Sequence, residues 1–178
     1  MKTTDKTFDP KTDGRRPRII GTLPGHICKF ETRAFGNTRK VFNLTIRFAP
    51  EALDVAVKKV EFDETGKMAI DDDNFKDHGF NGVEIRASGL WLDTSPDTEG
   101  WKNGDYLEAC EALGVEMPVD KDTGEVTLGE IEEEDVIGLP CLAQLGFETK
   151  KDDPSKVYQK VTAFFPWENG KRIEIEPF

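Results

Sequence analysis

The amino-acid sequence predicts a mainly β domain: five strands and one short helix closed into a small barrel, with an insertion around residues 50–80. Three observations carry this. Phe42, Leu44, Ile46 and Phe48 alternate with Val41, Asn43, Thr45 and Arg47, the period of two that marks a half-buried antiparallel strand. Gly36-Asn37-Thr38 precedes that strand as a hairpin turn, since Gly and Asn tolerate positive φ. Lys102–Leu113 has helical spacing, with Tyr106, Leu107, Cys110 and Leu113 on one face and Gly114 closing it.

The elements follow in order. Residues 1–18 are polar and basic without periodicity, and read as a flexible arm ending at Arg15-Arg16-Pro17-Arg18. The domain occupies 19–170. Leu23-Pro24-Gly25 reads as a turn, and His26–Phe35 as a strand with His26, Cys28, Phe30, Thr32 and Ala34 on one face. Ile27, Lys29, Glu31, Arg33 and Phe35 take the other face. After the Val41–Phe48 strand, the insertion holds an Ala-rich, helix-compatible piece (Glu51–Val60) and an acidic turn at Asp71-Asp72-Asp73-Asn74. Asn81–Leu92 returns to strand alternation, with Val83, Ile85, Ala87, Gly89 and Trp91 on one side. The Lys102–Leu113 helix, a tight turn at Asp120–Gly124, the acidic run Glu130–Asp135 and the breaker Gly138-Leu139-Pro140 come next. Strands Cys141–Thr149 and Lys156–Phe165 flank the charged turn Lys151–Ser155, and residues 171–178 form a C-terminal tip. One helix between the third and fourth strands is the element order of a five-stranded OB-like barrel.

Charge is unevenly distributed. The chain carries a net −11, yet in residues 1–50 eleven Lys and Arg stand against four acids, a local +7 that leaves −18 for the remainder. Such asymmetry points to a polyanion gripped by one part of the chain, with acidic surface elsewhere limiting unselective adhesion. No apolar run approaches the roughly 18 residues of a membrane span, and Met1-Lys2-Thr3-Thr4-Asp5 leads into polar sequence rather than a signal peptide. Cys28, Cys110 and Cys141 are odd in number and far apart, which fits reduced thiols in a cytoplasm.

Catalytic and metal motifs are missing from the sequence. It has no phosphate-binding Gly-rich loop, no dinucleotide fingerprint and no CxxC pair. Zinc would need His26 and Cys28 joined by distant ligands, and Asp71–Asn74 lacks the glycine and terminal glutamate of a calcium loop. His26 and His78 sit near no recognisable Ser or Cys nucleophile. The expectation is a binding protein, with no cofactor and no catalysis.

What remains is cation interleaved with aromatic side chains on strands. Bases of single strands stack on aromatic faces at roughly 1–3 kcal/mol each, while Lys and Arg neutralise phosphates and release counterions. The hairpin and arm supply Arg18, Lys29, Arg33, Arg39, Lys40 and Arg47. Candidate platforms are Phe35 beside Arg33, Trp91 near Arg86, and Tyr158 with Lys160 and Phe164 on one face of the last strand. Phe30, Phe42, Phe48 and Phe165 are assigned to the core.

Several short stretches together are similar to a known family. Gly21-Thr22-Leu23-Pro24-Gly25-His26-Ile27 opens the hairpin; Ala109-Cys110-Glu111-Ala112-Leu113-Gly114 leads to Glu134-Asp135-Val136-Ile137-Gly138-Leu139-Pro140-Cys141-Leu142-Ala143; Val157-Tyr158-Gln159-Lys160-Val161 precedes Phe165-Pro166-Trp167. Over residues 20–168 this order resembles phage-encoded single-stranded DNA-binding proteins, a family long catalogued as a domain of unknown function. The resemblance implies an OB fold and single-stranded DNA binding in phage replication or recombination. Ile173-Glu174-Ile175-Glu176-Pro177-Phe178 also looks like the acidic tip of bacterial single-stranded DNA-binding proteins. That likeness implies recruitment of replication or recombination proteins through Glu174, Glu176, Pro177 and Phe178, the terminal Phe and its α-carboxylate being the anchor. A last edge strand at Arg172–Glu176 is the other reading of this stretch. Two further functions stay open: an acidic DNA mimic or regulatory protein working through Glu130–Asp135, and a phage structural or adaptor protein. A homo-oligomer is compatible with any of them.

Overall fold

The computed structural model describes residues 1–7, 18–62, 65, 67–78, 83–150 and 152–176. Arg15 and Arg16 of the expected arm lie outside the described residues, as do Pro177 and Phe178 of the tip.

A single long strand organises the molecule. β1 (Arg18–Phe35) pairs in turn with three antiparallel partners. Its first residues meet β3 (Ala56–Phe62), Gly21–His26 meets β7 (Pro140–Lys150), and Gly25–Phe35 meets β2 (Arg39–Phe48). The expected turn at Leu23-Pro24-Gly25 is instead continuous strand where β1 passes from β7 to β2. Gly25 is required there because a Cβ would sit 2.9 Å from the Arg47 carbonyl oxygen and 2.7 Å from Ile46.

The insertion is a hairpin. β3 and β4 (Met68–Asn74) pair along their length, so Ala56–Val60 is strand rather than helix, and the hairpin is flanked by 3₁₀ turns at Pro50–Asp54 and Phe75–His78. The acids expected as a turn lie within β4, where Lys58 opposes Asp72 and Lys59 opposes Asp71. Cross-strand pairing of opposite charges favours the extended form over a solvated turn. β5 (Glu84–Arg86) and β6 (Leu90–Asp93) pair successive parts of β2. β8 (Asp153–Phe165) pairs β7.

Mainly β is therefore correct, but the described residues form an eight-stranded antiparallel sheet that stays open instead of a closed five-stranded barrel. Across the gap, the β5 segment and β8 meet through one isolated parallel bridge, Ala87 with Val161, and the Ser88 N–H donates to the Val161 oxygen at 3.0 Å. The extra strands come from the insertion, whose β3 takes the first residues of β1.

The helix appears as expected. α1 (Gly104–Ala112) buries Tyr106, Ala109 and Cys110, packs against β6 and β8, and ends at Gly114, whose φ is +74°. The Tyr106 hydroxyl donates to the Gly129 oxygen at 2.6 Å and accepts from the Ile131 N–H at 2.9 Å, tying the following loop down. Phe42, Leu44, Ile46, Ile27 and Leu145 fill the core beneath the sheet. A short α2 (Glu133–Val136) opens with a reciprocal Glu132–Asp135 capping box. The segment after β8 is no edge strand. It folds back on the corner between α2 and β7, where the Ile173 N–H donates to the Gly138 oxygen at 3.0 Å and the Arg172 guanidinium to the Glu134 oxygen at 2.6 Å.

Two bulges and one break overturn simple alternation. Ile27 opposes Ile46 while Lys29 opposes Thr45, so Cys28 is the extra residue: Ile27 turns into the core and Lys29 out. On β8, Val161 opposes Leu145 and Ala163 opposes Gln144, making Thr162 extra. Phe164 consequently packs against the core instead of sharing a face with Tyr158 and Lys160. Between Ala87 and Leu90 the chain leaves the ladder, so Ile85 and Ala87 are buried before the break, and Leu90 and Leu92 after it. Trp91 thereby faces outward.

Candidate nucleic-acid interface

Cross-strand register defines the outer face of the sheet. Lys29, Glu31, Arg33 and Phe35 of β1 oppose Thr45, Asn43, Val41 and Arg39 of β2, and these in turn neighbour Arg86, Trp91 and Asp93 of β5 and β6. The face has a core beneath it, so its side chains stand on a rigid support.

Its turn-proximal end carries the densest chemistry. The Phe35 and Trp91 rings lie 5.0 Å apart between centroids, tilted by 43°, and both are exposed (39 % and 40 %). The Arg33 guanidinium carbon sits 5.0 Å from the Phe35 centroid, and that of Arg39 sits 4.9 Å from Trp91. The result is a row of cation, ring, ring, cation, in which each guanidinium is held against a π face. Gly89 keeps the surface beside Trp91 low, since a Cβ there would meet Val41 at 2.7 Å. Such a row can accept bases between or over its rings while its guanidinium groups reach phosphates.

The other expected cations divide by their partners. Lys29 and Arg47 share one carboxylate, Glu84, at 3.0 and 2.7 Å. Hydrogen bonds from Arg47 first and Lys29 second hold the Glu84 carboxyl below its ordinary value of 4.5, and the Glu84 bond raises the Lys29 ammonium. Glu84 is thus charged at neutral pH, and the stabilisation from this pair is lost only as acid protonates it, below its ordinary value. Arg39 also reaches Asp93 at 3.9 Å. The Asp93 carboxyl is lowered, chiefly by the Ser95 N–H it accepts.

Lys40 does not join the outer face. Its register opposite Leu92 puts it at the rim of the opposite side, where its ammonium meets Glu130 at 2.7 Å. Arg18 stands half-buried at the other end of β1, opposite Val60. Arg86 and Lys160 each precede the Ala87–Val161 bridge by one residue, on adjacent strands, which joins the β8 side to the face. Tyr158 is 52 % exposed there, and Lys160 pairs with Glu148 at 2.5 Å. Phe165, assigned to the core, is exposed.

The structure brings together Arg33, Phe35, Arg39, Trp91, Lys29, Arg47 and Arg86. It does not bring Lys40, Arg18 or Phe164 to that face. Glu174 and Glu176 are exposed beyond the docked Lys171–Ile173. Sequence reasoning missed the counter-charges Glu84, Asp93 and Glu130, which arrive from distant strands and loops. It also missed Trp101, a lone aromatic in a polar loop, which is itself a readable signal.

His26 is held by structure: its Nε2 lies 3.0 Å from the Lys171 oxygen and its ring packs edge-on to Trp167 at 5.5 Å. That carbonyl requires Nε2 to carry the proton, which occupies it against a metal. Burial pushes the Cys28 and Cys110 thiols up to about 11 and Cys141 to about 12, so none offers a thiolate at neutral pH. Among the described residues no group of three His, Cys, Asp or Glu could hold a metal ion, and no helix is long and apolar enough to cross a membrane. Compared with protein-family models, curated proteins and solved structures, the chain matches none.

Proposed function

We propose that this protein binds single-stranded DNA without strong sequence preference, acting in phage DNA replication or recombination, with no catalytic step of its own. The observation that carries the reading is the exposed Arg33–Phe35–Trp91–Arg39 row on a core-backed sheet face. Two adjacent aromatic rings left in water forgo burial that would each stabilise the fold, and stacked bases would restore it. Arg33 and Arg39 there, with Arg86 and Lys160 farther along, would meet about four phosphates, which corresponds to a log–log salt slope near −3.

An OB-like barrel is the fold we assign to this reading. It is supported by the helix between β6 and β7, by β1 bridging β2 and β7, and by the parallel bridge between Ala87 and Val161. A partly open barrel that binds oligonucleotides on its second and third strands is a known use of that architecture. The acidic tip would recruit replication or recombination proteins through Glu174, Glu176, Pro177 and Phe178.

The DNA-mimic reading draws less support, because Glu130 is paired with Lys40, and Glu132 and Asp135 cap α2. A gel shift at low salt with labelled single-stranded DNA and RNA of equal length tests the proposal. Retardation of the DNA supports it, and a failure to shift either strand sinks it in favour of a protein-binding role.

A further inference from the structure

Trp101 is the most exposed aromatic side chain among the described residues, at 73 %, and the row on the sheet does not include it. It sits on the 3₁₀ turn Gly100–Asn103 that leads into α1. That turn is anchored: the Asn103 side chain is buried, accepts the Asp93 N–H at 2.8 Å and donates to the Asp93 oxygen at 3.0 Å. The next residue, Thr94, donates its N–H to the Thr38 oxygen of the hairpin turn at 2.8 Å. The loop bearing Trp101 is therefore fixed to the end of β6, two residues beyond Trp91.

The chemistry on the two sides of Asp93 is repeated. On one side Arg39 lies 4.9 Å from the Trp91 centroid and 3.9 Å from the Asp93 carboxylate. On the other, the Lys102 ammonium lies 5.7 Å from the Trp101 centroid, and its charge contributes to lowering the Asp93 carboxyl. Each ring thus has its own cation, and Arg39 also reaches the Asp93 carboxylate, whose ionised form the Lys102 charge favours from farther away. The Trp101 Nε1 donates to the Glu99 carboxylate, which orients the ring on its turn. Nothing in the core needs this indole, and its one hydrogen bond is to a solvent-exposed acid.

We propose that Trp101, with Lys102, is a further base-stacking platform for single-stranded DNA, continuing the path of Phe35 and Trp91 past Asp93 onto the loop before α1. This rests on the single-stranded DNA reading above. Stacking on Trp101 extends the bound strand beyond the sheet and places a phosphate beside Lys102, so the site holds more nucleotides than the hairpin alone can contact.

The test uses the full chain and oligodeoxythymidine of about twelve nucleotides, within the usual span of a single binding fold. Trp101→Ala should weaken binding about tenfold, the effect of losing one base–aromatic stack, while Trp101→Phe should restore most of it. In a Trp91→Phe/Trp167→Phe variant, Trp101 is the remaining tryptophan, and its fluorescence should be quenched as the oligonucleotide binds. Unchanged affinity in Trp101→Ala, or no quenching of Trp101 under saturating oligonucleotide, overturns the inference. If Phe35→Ala still costs affinity in that case, the DNA-binding reading stands without Trp101. If the wild-type chain binds no oligonucleotide, both fall together.

Discussion

Two hairpins of this molecule are dense in charge and do opposite things with it. In β1–β2 the outward residues stand over Phe42, Leu44 and Ile46, and cations share the face with Phe35 and Trp91. In β3–β4 the outer strand lies at the end of the sheet path, its residues mostly exposed, and its charges face one another as Lys58 with Asp72, while Lys59 meets Glu61. The first pattern offers charge and π surface to a ligand. The second pairs its two lysines internally, keeps an excess of acid, and guards an edge against other strands. Charge density alone does not mark a binding surface: Lys29, Arg39 and Arg47 have carboxylate partners too, and what distinguishes the first face is the exposed rings beside its cations.

The comparison can be broken most sharply at the rings. Phe35→Ala/Trp91→Ala removes two stacking faces and should weaken binding to single-stranded oligonucleotide about 30-fold or more, read by fluorescence anisotropy. Both rings are only about 40 % exposed and pack on each other and on two guanidinium groups, so the fold should lose about 1–3 kcal/mol, and binding is compared well below the unfolding transition. Next, Arg33→Glu/Arg39→Glu should cost about tenfold at low salt and flatten the salt slope by about 1.4, two phosphate contacts on a single strand. A loss of affinity with an unchanged slope would place these arginines away from phosphate.

A smaller effect, of opposite sign, is expected from Glu84→Gln. It frees Lys29 and Arg47 from their shared carboxylate, so affinity should rise about threefold at low salt and the slope should steepen. No change would mean that neither cation reaches DNA. Smallest of all is the control on the insertion: Lys58→Gln/Lys59→Gln, which removes the pairs without placing acid opposite acid, should leave the Kd within about twofold and shift stability by no more than about 1 kcal/mol, as exposed pairs do. A large loss of binding there would move the interface to the β3–β4 hairpin.

Much of the scaffold was legible in the sequence, for physical reasons that also explain the misses. The Phe42–Phe48 alternation and the Gly36-Asn37-Thr38 turn act locally, and so does the Tyr106–Cys110 helix face; each reads correctly. The bulges at Cys28 and Thr162 and the break at Ser88-Gly89 are set by partner strands, and each inverts the facing of everything beyond it. Phe164 was lost to the core and Trp91 turned outward for that reason. Lys40 was misplaced because its position belongs to the Phe42 series, and only Glu130, ninety residues away, explains why a lysine stands there. The β4 acids read as a turn in the sequence because their lysine partners, fourteen residues earlier at the Lys58–Asp72 pair, fall in a helix-compatible stretch.

The central claim is that rings, and not cations alone, bind the ligand. It is tested most directly by competing single-stranded DNA against duplex DNA of equal length for the wild-type protein as salt is raised. Stacking needs unpaired bases, so the account predicts a clear preference for the single strand that persists at salt concentrations where duplex binding is gone. Equal affinity for the two, falling together with salt, would contradict it and leave only an electrostatic grip.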